Sequence, residues 1–238
     1  MDRFSLPADA LPPADGEVLL LLARSERVDP EIALACLDAT ERERRTRLQR
    51  ERDQQDFLAA HAWLRHLLGA CVGVPPAAVQ IALESSGKPC LPASPDLHFN
   101  LSHSAGLVAI ALGRAARVGV DVEAVTPDAA VVDDVAGQLA FEERHALTVC
   151  APEQRNRLFF TLWTLKEAYA KARGDGLALA LDSYAFTLDG ERIAFRSDHG
   201  DAQAWQFHGG LVAGCWRWSL AVAMPPSCPL RLRLFVVD

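Results

Sequence analysis

The chain is predicted to fold as an α+β protein of two small halves. Helix-like and strand-like stretches come in blocks, not in the strict alternation that builds parallel βαβ sheets. Two adjoining apolar runs, Leu107–Leu112 and Arg117–Glu123, sit mid-chain like a hairpin. Five further strand-like runs close the sequence after one long amphipathic helix.

In order, Val18–Ala23 is a short apolar run and the expected first strand. Helices are expected near 30–51 and 54–71. The first contains the mixed-charge run Glu41–Arg52, by itself a solvated helical face, and the second carries the stripe Phe57, Leu64, Leu68 with His61 and His66 packed nearby. A strand near 79–84 follows. In His98–Gly106 a short strand leads into a polar turn, where serine, asparagine and glycine favour available backbone N–H groups. Then come the paired runs 107–112 and 117–123, with Ala124–Asp134, around Thr126-Pro127-Asp128, as the crossing loop. The second half has helices near 137–149 and 155–173, then strands near 184–189, 192–196, 203–208, 216–223 and 230–237. The expected division is 1–123 and 124–238.

The helix near 155–173 is the most legible element. Leu158, Leu162, Leu165, Tyr169 and Ala172 recur at four- and three-residue steps and form one apolar stripe, and Gly174-Asp175-Gly176 supplies the stop. Trp163, Glu167 and Lys171 fall on the opposite face. Glu167 and Lys171 alone would be an ordinary surface ion pair. A tryptophan beside them implies that this face is covered too, by ligand or by the other half of the protein.

At 238 residues and 50% hydrophobic, the chain can bury a sizeable core. The run Val18–Ala23 is far too short to span a membrane and lacks a basic segment before it, so a cytoplasmic protein without membrane contact is expected. The six cysteines show no Cys-x-x-Cys spacing and indicate neither a zinc knuckle nor a disulfide framework. A net charge of −7 argues against nucleic-acid binding, which needs a positive footprint.

The chemistry concentrates in Arg117–Glu123. Acids at i and i+2 of a strand, Asp121 and Glu123, project to one face while Val120 and Val122 point to the other. Taken alone such a pair is a solvated edge; with partners it suits a hard divalent cation that takes carboxylate, water and phosphate oxygens. The turn upstream adds hydroxyls and an imidazole, and the helix downstream adds Glu167 and two lysines.

Asn100-Leu101-Ser102-His103-Ser104, then Gly119-Val120-Asp121-Val122-Glu123, then Trp163-Thr164-Leu165-Lys166-Glu167-Ala168-Tyr169-Ala170-Lys171 resemble the three ordered motifs of the 4′-phosphopantetheinyl transferases, and more closely the Sfp-type branch. Gly87-Lys88-Pro89 before them, and Gly176-Leu177 with Leu181-Asp182-Ser183 after them, extend the resemblance over most of residues 40–190. It implies two similar subdomains in a pseudo-twofold arrangement, with coenzyme A and metal between them. The implied reaction moves the 4′-phosphopantetheine arm of coenzyme A to a serine of an apo acyl, peptidyl or aryl carrier protein, releasing adenosine 3′,5′-bisphosphate.

By the same resemblance Asp121, Glu123 and Glu167 hold Mg²⁺ or Mn²⁺. Lys171 meets the pyrophosphate with Lys166 as companion, and Arg44, Lys88, Ser102 and His103 contact the adenosine and 3′-phosphate end of coenzyme A. Glu167 and Glu143 are the candidate acceptors of the serine proton. The chain departs from the pattern at Asp56, where the family often carries arginine and where Arg52 or Arg65 would have to compensate. A monomer is expected, serving carriers of fatty-acid, polyketide or nonribosomal-peptide synthesis. Two other classes can use the same residues: a metal-dependent phosphohydrolase, and a catalytically silent module that binds coenzyme A or a carrier protein.

Overall fold

The structure, a computed structural model, describes residues 4, 6–7, 9–126, 129–176, 179–190 and 192–237. The chain divides into two compact units, residues 1–116 with 230–238, and residues 117–229.

The first unit is built around β1 (Glu17–Arg24), whose residues from Val18 to Ala23 are all buried. Such two-sided burial calls for an uninterrupted apolar run, and each fully buried leucine contributes about 2 kcal/mol. Next come α1 (Pro30–Cys36), α2 (Ala39–Thr46), α3 (Glu51–Val72), the two-residue strands β2 (Ala82–Leu83) and β3 (Pro89–Cys90), β4 (Leu97–Ser104) and β5 (Leu107–Arg114). The helix expected over 30–51 is interrupted because Asp38 forms a reciprocal capping box with Glu41 and starts a new helix. The polar turn expected within His98–Gly106 is shorter than that stretch. β4 runs through Ser104, and only Ala105 and Gly106, both at positive φ (48° and 93°), make the connection, the geometry of a tight hairpin. Asp56 accepts a hydrogen bond from Gly106 N–H at 2.9 Å and another from Ser25 Oγ, so this buried acid ties α3 to the turn.

β5 does not pair with the strand that follows it. β1 and β4 occupy its two edges, leaving no ladder for residues 117–123. The C-terminal strand β11 (Arg231–Val237), expected with the second half, instead runs parallel to β1, in the sheet order β11-β1-β5-β4.

The second unit opens with β6 (Val118–Ala124), followed by α4 (Ala129–Ala136), α5 (Phe141–Val149) and α6 (Pro152–Arg173). The hairpin β7 (Tyr184–Asp189) and β8 (Arg192–Ser197) leads to β9 (Gln206–Val212) and β10 (Trp216–Val222). The sheet order is β6-β10-β9, antiparallel throughout. The expected crossing loop is largely α4; its Pro127 and Asp128 lie outside the described residues. The apolar stripe of α6 is buried as expected, with Leu165, Tyr169 and Ala172 fully inaccessible. Gly174 closes the helix at φ 88°.

Candidate active site

One close approach brings the second and third sequence motifs together. A side chain at Gly119 would meet the Ala168 carbonyl at 2.1 Å and the Ala172 backbone nitrogen at 2.4 Å. Only glycine lets β6 lie this near α6. The two elements are also stitched where Thr164 Oγ1 meets Ser219 Oγ of β10 at 2.8 Å. Against this seam Lys171 Nζ donates to Asp121 Oδ1 at 2.6 Å. Asp121 is buried, at 3% side-chain exposure, whereas Lys171 keeps 29%.

Glu167, one helical turn before Lys171, completes the constellation. Burial pushes its carboxyl above the ordinary range, the negative charge of Asp121 pushes the same way, and Lys171 opposes both. Two carboxylates that repel each other across a partly dry seam form an oxygen-only donor set, which suits a hard dication. Among the described residues no three His, Cys, Asp or Glu side chains converge as a complete metal cage. Such an ion would therefore draw part of its shell from water and phosphate oxygens, as Mg²⁺ ordinarily does. Glu123 lies two residues on, on the same face of β6 as Asp121, directly across from Arg217 of β10. Arg217, absent from the sequence reading, shows its side preference in the alternation Trp216-Arg217-Trp218-Ser219.

A cavity of about 270 Å³ adjoins Glu167, lined largely by Val135, Trp163, Leu179, Leu181 and Tyr184 with the Gln138 amide. The indole of Trp163 therefore covers the Glu167 side of the helix, stacked on Phe159 with ring centres 6.3 Å apart.

Lys166 and Glu143, expected at the pyrophosphate and at the serine proton, are placed elsewhere. Both side chains are inaccessible to solvent and pair at 2.9 Å. Lys166 Nζ also donates to the carbonyls of Leu181 and Tyr184, each at 2.6 Å, while Glu143 accepts from the backbone N–H of Phe186 at 2.9 Å and of Ala140 at 3.0 Å. Burial pushes the glutamate up and the lysine down, and each charge resists the shift of the other. With these bonds made, the pair ties α5 and α6 to β7.

In the first unit, Arg44 is exposed on α2 and Lys88 is buried beside the β2–β3 turn. Ser102 and His103 are consecutive on β4, so they project to opposite faces of its sheet. Of the two arginines considered as compensating for Asp56, Arg65 is fully buried, bonded to Glu41, Asp38 and the carbonyls of Pro76 and Val79. Arg52 donates to the Ala105 carbonyl at the rim of a cavity of about 580 Å³ that Arg45 and Gln55 also line.

Comparison with known proteins matches residues 117–223 to the 4′-phosphopantetheinyl transferase superfamily model and residues 25–114 to the model of a 4′-phosphopantetheinyl transferase N-terminal region. A 4′-phosphopantetheinyl transferase of Bacillus subtilis is 31% identical over 155 residues, covering 65% of this chain and 68% of the relative. The 4′-phosphopantetheinyl transferase HetI of Nostoc sp. is 36% identical over 148 residues, covering 60% of this chain and 62% of the relative. The 4′-phosphopantetheinyl transferase Sfp of Bacillus subtilis strain 168 is 27% identical over 156 residues, covering 65% and 68%. Each of these relatives bears the name 4′-phosphopantetheinyl transferase. With both halves of the chain matched and the Asp121–Glu167–Lys171 seam in place, the chain belongs to the 4′-phosphopantetheinyl transferase superfamily.

Proposed function

We propose that the seam between β6 and α6 is where this transferase moves the 4′-phosphopantetheine arm of coenzyme A onto a serine of an apo carrier protein. The observation that carries the reading is the junction of Asp121, Glu167 and Lys171 across a contact that only glycine at 119 permits. Asp121 and Glu167, with Glu123 beside them, would hold Mg²⁺ or Mn²⁺. Bound there, the cation supplies charge stabilisation to the pyrophosphate oxygens.

The chain's own residues do the rest. Lys171, partly exposed at the end of a long stem, can exchange its bond to Asp121 for one to the pyrophosphate as negative charge grows there. Glu167 is the acceptor within the seam for the serine proton, since the carboxylate of Glu143 is committed to Lys166 and two backbone amides. The elongated pantetheine arm, apolar with two amides, suits the cavity beside Glu167, where apolar side chains surround one glutamine amide. Arg44, Lys88, Ser102 and His103 are assigned to the adenosine and 3′-phosphate end of coenzyme A. The acceptors are acyl, peptidyl or aryl carrier proteins, met by a monomeric cytoplasmic enzyme.

The experiment is intact-mass spectrometry of several apo carrier proteins incubated with this protein, coenzyme A and Mg²⁺, with a metal-free control. A metal-dependent gain of about 340 Da on the carrier, the mass of one arm, is expected. Unmodified carriers under every condition, with coenzyme A hydrolysed or merely bound, would overturn the reading.

A further inference from the structure

On the side of α6 turned away from the seam, one carboxylate gathers four donors. Asp201, in the connection between β8 and β9, accepts through Oδ2 from Tyr169 Oη at 2.8 Å, Arg173 Nη1 at 2.9 Å and Trp205 Nε1 at 2.9 Å. Its Oδ1 accepts from Ser197 Oγ at 2.6 Å. Arg173 Nη1 donates to Tyr169 Oη as well, at 3.0 Å. With roughly 100° of rotation per residue, Tyr169 and Arg173 stand about 200° and 240° round the helix from Glu167, while Lys171 stands about 40° from it. Asp201 therefore grips the helix on the side opposite its functional side chains.

Besides a 3.4 Å contact of Tyr169 Oη with Ser197 Oγ and the Arg173 bond to Asp175, the packing on that side is of aromatic rings. Tyr169 is fully buried, with ring centres of Tyr184, Phe195 and Trp205 at 4.9, 4.8 and 5.0 Å. Such packing holds a helix against a core but is non-directional, so it restrains rotation and sliding weakly. Hydrogen bonds to one fixed carboxylate are directional. Arg173 extends the chain of contacts to the other side of the seam: its carbonyl accepts from Arg117 Nη1 at 2.9 Å, and Arg117 immediately precedes the strand bearing Asp121.

We propose that Asp201 is a positioning residue, which through Tyr169 and Arg173 sets the rotation and axial register of the last two turns of α6, and so where Glu167 and Lys171 stand against Asp121. The inference rests on the transfer site proposed above. It adds a residue that stands on the opposite side of the helix from the site groups and lies outside the three sequence motifs.

The test uses the full chain with Asp201→Asn and Tyr169→Phe, assayed well below each variant's melting temperature so that lost stability does not enter. For Asp201→Asn, kcat should fall about tenfold or more, because small misplacements of reacting groups cost that much, with KM for the carrier protein unchanged. Mn²⁺ binding in the presence of coenzyme A, followed by electron paramagnetic resonance, should weaken several-fold. Amide exchange should quicken in the last two turns of α6 but not in the first two. Tyr169→Phe should act in the same direction with smaller amplitude, and it carries the test by itself if Asp201→Asn does not fold. Variants with lowered melting temperature but wild-type kcat, Mn²⁺ affinity and helix-end exchange would overturn the proposal, leaving Asp201 a plain structural tie. If the wild-type protein itself neither transfers nor binds Mn²⁺, the reading of the seam fails, and the exchange pattern still decides whether Asp201 fixes the helix.

Discussion

Lys166 and Glu167 are neighbours in sequence with opposite fates. Successive helical residues differ by about 100°, so one lysine of the motif enters the core while the glutamate beside it faces the seam. Nothing in the local pattern separates Lys166 from Lys171, since both are cations within one motif; burial separates them, at 0% against 29% side-chain exposure. Lys166→Ala leaves the Glu143 charge buried without its partner and should cost about 3–5 kcal/mol of stability in a urea titration. Lys171→Ala takes a donor from the buried Asp121 and should cost about 1–3 kcal/mol, less than Lys166→Ala because Lys171 itself is partly exposed, yet lower kcat about a hundredfold by removing a donor to developing charge. Asp121→Ala and Glu167→Ala should each abolish transfer with circular dichroism unchanged; turnover near wild type at limiting Mg²⁺ in either variant would remove that residue from the proposed metal site. Asp56 has a task that residue type alone does not reveal: its carboxylate accepts from Ser25 and Gly106 and ties α3 to the turn.

At the scale of elements, the periodicity of α6 and the alternation of β6 were legible because each is a one-dimensional repeat matched to its geometry. The glycine in β6 was readable as a motif letter, while its physical task, admitting the α6 backbone, needed the packed pair. Gly119→Ala places a methyl group against backbone atoms that cannot swing aside, and the loss should be about 3 kcal/mol or more, measured by thermal or urea unfolding. The cluster behind α6 has a signature in acid. Burial alone would raise the Asp201 carboxyl, but donation from Ser197, Tyr169 and Trp205 and the charge of Arg173 bring it from 3.8 to about 2. A carboxyl lowered in the folded state contributes fully above the unfolded value and loses that contribution as pH falls through the folded one. Between about pH 4 and pH 2, wild type should therefore lose on the order of 1 kcal/mol more than Asp201→Asn, allowing for solvent screening. Parallel urea titrations at the two pH values measure the difference.

At the scale of the whole molecule, strand partnership was the feature least available from the sequence. β5 and β6 look like a hairpin because both are apolar and only a few residues separate them, yet β5 is already paired on both edges and β6 pairs with β10. β11 returns from the far end of the chain to lie parallel to β1, and removing residues 230–238 would bare one edge of a strand buried from Val18 to Ala23. Such an edge invites intermolecular pairing, so the truncated protein should aggregate and yield little soluble monomer by size-exclusion chromatography. The sequence by itself determined the α+β class, most helix and strand positions, the transferase family and the motifs that carry Asp121, Glu167 and Lys171, because motif letters and periodicity are local properties. Only the tertiary structure decided which strands share a ladder, which of two lysines is buried, that Glu143 is spent on a salt bridge, and that a distant aspartate grips the helix. Those depend on contacts between residues far apart in sequence, whose partners are chosen by packing and burial rather than by anything a neighbouring residue records.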